Sequence, residues 1–258
     1  MKSYAGWDCH THWGIVWKER DGVDPTTWLA VLDSHGLRHA LVLPHEGLQT
    51  QEAILRDNDA VREVCARSGG RMIPAFTCHP AQRGEAVREV RRCAAPGVPA
   101  ALKFHPWLQG FSLADPAFVP IVEAAEELGL PVIFHDGTPT YSLPEQVIGL
   151  AIRHPRARFV LGHAGLLWNW RAALLAATVE NVWVTLCGPH LAAFRELGRR
   201  IRPERLLWGS DFGFGFADPI GYRLGLLREA GFGEALLERI LDLNPKELFR
   251  APTAGGAA

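Results

Sequence analysis

The sequence predicts an α/β chain closed as a (β/α)8 TIM barrel. Three observations carry that expectation. Eight short apolar, β-branched runs recur along the 258 residues. Amphipathic patterns of helical length separate them, and regular alternation of strand with helix gives a parallel sheet. Eight such units within about 250 residues is the size of one barrel. An open doubly wound sheet is the other candidate, but no GxGxxG or phosphate-binding loop follows any run.

In order, the runs are "AGWDCHTH" from Ala5, "HALVLP" from His39, "RMIPAF" from Arg71, "AALKFH" from Ala100, "PVIFHD" from Pro131, "RFVLGHA" from Arg158, "NVWVTLCG" from Asn181 and "RLLWGSD" from Arg205. Helical patterns lie between them. "TTWLAVLDSHG" ends in a glycine suited to the C′ position. "AILRDNDAVREVCARSGG" and "GEAVREVRRCAA" carry charge on one face. "DPAFVPIVEAAEELG" offers Asp115 as N-cap, Pro116 at the first helical position and Gly129 as the stop. "PEQVIGLAIRHP", "WRAALLAATVE" and "LAAFRELGRRI" follow. The last pattern, "GEALLERILDLNPKELF", reads as two short helices broken near Pro245. No composition shift divides the chain, so residues 1–250 form one domain. The "APTAGGAA" of 251–258 has nothing to bury and is expected to be a disordered tail.

Composition excludes several classes of function. Formal net charge is −1 and no dense basic block is present, which argues against a nucleic-acid partner. The arginines of "REVRRC" share helical spacing with Glu85 and Glu89 and read as a solvated face. Cys9, Cys65, Cys78, Cys93 and Cys187 are scattered and form no CxxC pair, so no disulfide framework is expected. Asp8, His10 and His12 interrupt any signal-like start. No apolar run approaches the roughly 20 residues of a membrane span. The expectation is a soluble cytoplasmic protein acting on a small molecule.

The chemistry gathers where a barrel places it, at the carboxyl ends of strands. The first run ends in His10 and His12, and the fourth holds Lys103 and His105. The fifth ends in His135 and Asp136, the sixth in His163 and the eighth in Asp211. Residues two apart on a strand share a face. Asp8, His10 and His12 therefore project together, and Cys9 faces the helices. His10 and His12, joined at the rim by His135 and Asp211, give three imidazoles and a carboxylate. That set suits Zn²⁺, with Mn²⁺ or Fe²⁺ as alternatives. Asp8 is placed to hold an imidazole in its binding tautomer. A single histidine at a strand end is ordinary; the convergence of several is the signal. His35, His39, His45, His79, His154 and His190 read as structural or solvated, with His45 and His79 also able to reach the rim.

Nine tryptophans are present. Trp7, Trp183 and Trp208 fall within strands and read as core. Trp13, Trp17, Trp107, Trp168 and Trp170 follow strand ends, where they either wall a pocket or pack loops onto the barrel. Trp107 and Trp168, with Lys103 and His105, are the candidate substrate contacts. The glycines of "DFGFGF" let the last loop approach the rim closely. Cys187 reads as a small pocket residue.

"DCHTH", "KFHP", "PVIFHDG", "VLGHAG", "LLWGSD" and "NPKELF" occur in that order from Trp7 to Phe249. Together they resemble the amidohydrolase-related family of metal-dependent hydrolases, in the branch that includes aminocarboxymuconate-semialdehyde decarboxylase. The resemblance implies a barrel distorted as in metal-dependent hydrolases, with one divalent metal at its rim. His10, His12, His135 and Asp211 would hold the ion, and His163 would act as acid and base beside an activated water. Asp211 would also accept a hydrogen bond from that water. Other branches carboxylate a fourth-strand lysine to bridge two metals. Lys103 stands on that strand, so one and two metals both remain open; in the single-metal case Lys103 faces substrate or is a salt-bridged barrel lysine. The implied activity is hydrolysis of an amide, lactone or related ester. The alternative is non-oxidative decarboxylation of an aromatic or enoic acid. A catalytically inert binding barrel would lack ligands, and every expected ligand is present. Barrels of this type often pair as homodimers, and nothing in the sequence fixes the state.

Overall fold

The computed structural model describes residues 6–13, 24–44, 50–94, 97–213 and 218–250. All eight apolar runs are strands: β1 (Gly6–Trp13), β2 (Leu37–Pro44), β3 (Met72–Phe76), β4 (Ala101–Phe104), β5 (Pro131–Phe134), β6 (Arg158–Leu161), β7 (Val182–Leu186) and β8 (Leu206–Trp208). They pair in parallel in sequence order. The sheet turns back on itself through a parallel bridge between Thr11 and Phe212. There the His12 N–H donates to the Phe212 carbonyl (2.7 Å), and the Asp211 N–H donates to the His10 carbonyl (2.8 Å). The chain is a (β/α)8 barrel.

Helices α1 (Pro25–Ser34), α2 (Gln51–Ala66) and α3 (Gly84–Cys93) follow the first three strands. A one-turn helix, α4 (Pro106–Gln109), and then α5 (Val119–Leu128) follow β4. The Asp115 side chain caps a 3-10 turn, Pro116–Phe118, that runs into α5, and Gly129 ends that helix at φ 64°. After β5, β6 and β7 come α6 (Pro144–Arg153), α7 (Trp170–Ala176) and α8 (Leu191–Arg200).

Two departures from the sequence reading lie beyond β8. Helix α9 (Pro219–Ala230) was not expected. Its buried stripe is Ile220, Leu224 and Leu227 behind Pro219, and the apolar Tyr222 and Leu226 off that stripe blur its period in the sequence. Its caps were legible, with Asp218 accepting from the Gly221 N–H and Gly231 closing the end at φ 74°. The second departure concerns the break at Pro245. The chain runs from α10 (Glu234–Glu238) through a π turn at Arg239–Leu243 into α11 (Asn244–Leu248). The irregularity is the π turn, and Pro245 sits in the first turn of α11, where its missing N–H costs nothing. The expected tail at 251–258, His45 and Trp17 lie outside the described residues.

The core has two layers. Leu41, Leu43, Ile73, Ala75, Ile133 and Val160 fill the barrel. Val42, Phe76, Phe104, Phe134, Phe159 and Trp208 pack outward against the helices. Cys9 belongs to the inner layer, which corrects its expected helix-facing position. The cause is a bulge: Asp8 pairs with Ala40 and Thr11 with Val42, so β1 spends three residues where β2 spends two. Simple alternation fails across such a step. No helix among the described residues is long and apolar enough to cross a membrane.

Candidate metal centre

The bulge in β1 places His10 and His12 at the carboxyl rim opposite the residue that follows β8. His12 Nε2 lies 3.1 Å from Asp211 Oδ1, and His10 Nε2 lies 3.5 Å from the same oxygen. Ligand atoms of these three residues all fall within 4.8 Å of one another. Asp211 takes a left-handed conformation, φ 67°. Aspartate visits that region more readily than most side chains. Its N–H bond to the His10 carbonyl ties the residue to β1. Gly209 stands two residues earlier, where an added Cβ would press on the Cβ of His10. Gly213, from the glycine-rich loop, has φ 97° and lies against the His12 carbonyl.

The other expected residues surround this triad. Lys103 Nζ is 3.4 Å from His10 Nε2, and the lysine is buried. The His163 ring lies 4.5 Å from that of His10 and 4.3 Å from that of His135, centroid to centroid. His135 is therefore at the centre but one ring away from the His10–His12–Asp211 group, and its imidazole stacks on His105 at 3.8 Å. Trp107, on α4, is 5.9 Å from the His105 ring and half exposed. Trp168 is exposed on the segment after His163. Trp170 is buried in the outer core at the start of α7 and does not wall a pocket. His79 does not reach the rim: its Nδ1 accepts from the Ala81 N–H, and its Nε2 meets the Gln109 carbonyl at 2.6 Å.

Two carboxylates fix the surrounding backbone. Asp8 was expected to hold an imidazole. Instead it accepts from the Ser210 hydroxyl (2.5 Å), the Ser210 N–H (3.0 Å) and the His10 N–H (3.2 Å). The bulge turns it toward β8 rather than toward the rings. Asp136 accepts from the N–H groups of His163 (2.7 Å) and Gly165 (2.6 Å) and thereby sets the loop after β6. Burial pushes the Asp8 carboxyl up to about 7 against the Ser210 bonds, and that of Asp136 up to about 6 against its backbone bonds. Ser210 was legible as the residue before Asp211 in "WGSD". Its role was not, because it depends on contact with a strand about 200 residues away.

Burial also governs the rings. It pushes His10 and His135 well below the ordinary imidazole value, and His163 down to about 3. Burial lowers Lys103 to about 8, opposed by the Asp211 charge. Asp211 runs the other way. Burial alone would raise it, but the His12 hydrogen bond and its ionisable neighbours His163, His12 and Lys103 hold it below the usual carboxylate range. Neutral His10, His135 and His163 beside an ionised carboxylate are in the donor state that a divalent cation needs. His10 Nδ1 and His163 Nε2 are buried without a hydrogen-bond partner among the described residues. Such orphaned nitrogens are costly unless something occupies them. The donor set thus fits a divalent metal. A second group also converges: ligand atoms of His163, Cys187 and Asp211 lie within 4.8 Å of one another.

Comparison with known proteins gives a family and a fold. Residues 7–251 match a family model described as Amidohydrolase. No curated protein matches the sequence. Among solved structures, 2,6-dihydroxybenzoate decarboxylase from Rhizobium superposes with a TM-score of 0.74 at 19% identity, covering 96% of this chain and 99% of that one. A probable 2-pyrone-4,6-dicarboxylic acid hydrolase from Acinetobacter baumannii, with citric acid bound, gives 0.72 at 16%, covering 95% and 99%. A 5-carboxyvanillate decarboxylase from Novosphingobium aromaticivorans, complexed with manganese and a nitrobenzoic acid, gives 0.70 at 17%, covering 86% and 79%.

Proposed function

Since the chain belongs to the amidohydrolase family and is an enzyme of that family, we propose that it is a metal-dependent hydrolase of a small amide, lactone or related ester. The observation that carries this reading is the meeting of His10, His12 and Asp211 at the seam of the barrel. These three would hold the ion, with His135 as the candidate fourth ligand. Imidazole nitrogen and carboxylate oxygen favour Zn²⁺, and the manganese complex of a similar fold makes Mn²⁺ the first alternative. When bound, a divalent ion supplies Lewis acidity and an activated water.

The chain's own residues do the rest. His163 is neutral and buried beside the triad, so its imidazole can take a proton and return it to a leaving group. Lys103 is the buried cation nearest the rings and can hold an anionic group of the substrate. His105 and His135 stack on each other beside the centre, with Trp107 at their edge.

A second reading is non-oxidative decarboxylation. The buried Lys103 favours it, since a carboxylate drawn to that ammonium would sit against the same rings. Decarboxylases of similar fold lend it the same support that the hydrolase lends the first reading. The test is elemental analysis of protein purified without chelator, followed by a screen of lactones, amides and aromatic acids. Wild type should hold about one tight ion per chain. His12→Ala should lose it, whereas His163→Ala should keep it and lose turnover by on the order of 10²-fold or more. Release of CO₂ would select the second reading. Absence of metal after reconstitution would refute both.

A further inference from the structure

The proposed function leaves one buried group at the rim without work. Cys187 follows β7 directly and is fully buried. Its sulfur lies within 4.8 Å of ligand atoms of both His163 and Asp211. The juxtaposition is built into the backbone. A Cβ on Gly188 would run into the His163 carbonyl and Cβ, so the turn after β7 lies directly on the residue that carries the imidazole. Asp136 and the left-handed residues Ala164 and Leu166 fix the same loop from the other side. His163 Nε2 meanwhile is buried with no hydrogen-bond partner among the described residues.

We propose that His163, Cys187 and Asp211 form a second cation position beside the first, with the Asp211 carboxylate shared. A thiolate, an imidazole and a carboxylate select thiophilic divalent ions such as Zn²⁺, Co²⁺ and Cd²⁺ over Mn²⁺ or Mg²⁺. Binding breaks the Cys187 S–H bond, forms a sulfur–metal bond and releases the proton to solvent; nothing is oxidised or reduced. The inference rests on the metal-dependent reading above and adds a regulatory consequence. An imidazole that ligates an ion through its nitrogen cannot carry a proton, so occupancy of the second position silences the enzyme. Excess zinc is then an inhibitor of a protein that needs zinc.

The experiment is a Co²⁺ titration of full-length protein carrying one equivalent of Zn²⁺, followed by near-ultraviolet absorption. Wild type should develop a thiolate-to-cobalt charge-transfer band as the second ion binds. Cys187→Ser and Cys187→Ala should lack the band while retaining the first ion. Cys9→Ser, which changes the thiol inside the barrel, should keep it. Even a supporting group at a metal site is worth on the order of 10–100-fold in affinity. The Zn²⁺ concentration that inhibits turnover should therefore rise by at least that factor in Cys187→Ser. A wild-type protein with no band, or a band that survives in both Cys187 variants, overturns the proposal. A wild type that shows the band yet holds no ion dependent on His12 supports this site and refutes the primary one.

Discussion

Asp136 illustrates how single residues shape the centre without touching substrate. Its two carboxylate oxygens accept one backbone N–H each, from His163 and Gly165. Asp136→Asn preserves size but turns one acceptor into a donor, leaving a buried N–H facing an N–H. The expected loss is about 1–3 kcal/mol, read as a lowered thermal midpoint. Asp136 stands out in the sequence only as a polar residue at a strand end, and Asp8 as a holder of an imidazole rather than of Ser210. Their partners include groups on the turns after β6 and β8, which no local pattern displays. His10, His12, His163 and Asp211 were legible for the opposite reason: an imidazole or carboxylate at the end of a β-branched run is conspicuous wherever the chain later takes it. Cys187 was seen at the rim, but its neighbours were not, because they come from β6 and the end of β8.

At the level of elements, one buried ionic network joins α2, α3 and β3 to the centre. Glu89 on α3 accepts from Arg92 Nε (2.6 Å) and Nη2 (2.7 Å), from Asn58 Nδ2 (2.7 Å) and from the Cys93 thiol (3.2 Å). Asn58 on α2 brackets Thr77, accepting from its N–H and donating to its carbonyl. Gln109 on α4 donates to Thr77 Oγ1 and the Cys78 carbonyl, and accepts from the His105 N–H. Burial would raise the Glu89 carboxyl, but the Arg92, Asn58 and Cys93 bonds outweigh it and hold it below its ordinary value. A carboxyl depressed by folding stabilises the protein above its unfolded value, and that contribution is lost as pH falls through the folded one. Glu89→Gln should therefore cost most stability at neutral pH and little in acid. Thermal midpoints of the two proteins, measured from neutral to acid pH, should converge as pH drops. The strands themselves were legible because fully buried parallel strands are continuous apolar runs. Helix α9 was not, because the apolar Tyr222 and Leu226 lie off the stripe of Ile220, Leu224 and Leu227 and blur its period.

Across the whole molecule, the outer core is welded by aromatic rings that span consecutive units. Phe118 lies 4.8 Å from Phe104 and 6.0 Å from Phe134, and Phe134 continues to Phe159 at 6.1 Å. Three strands and the turn before α5 thus share one contact chain. Phe118 is fully buried, so Phe118→Ala should lower unfolding stability by about 3–5 kcal/mol. Denaturant unfolding checks this, and metal content of the folded fraction should stay unchanged. The barrel as a whole could be anticipated because each of its eight units repeats the same two patterns. Closure was anticipated from the count of units, but the contact that makes it, the Thr11–Phe212 bridge, was not, since it joins the two ends of the barrel.

That closure has a temporal side. Asp8 and Ser210, which clasp β1 to the turn after β8, are 202 residues apart. His12 and Asp211 face each other across the same gap. During synthesis the two histidines leave the ribosome long before their carboxylate exists, so the growing chain carries only half a chelator. An ion held by the proposed set would be captured only once the last strand has come home to the first. Held as proposed, it would clasp a loop of about 200 residues and stabilise the shut barrel by its own binding free energy, because the open chain does not hold it. Cellular metal supply would accordingly be felt first as how many barrels finish shutting, and only afterwards as how fast the shut ones turn over.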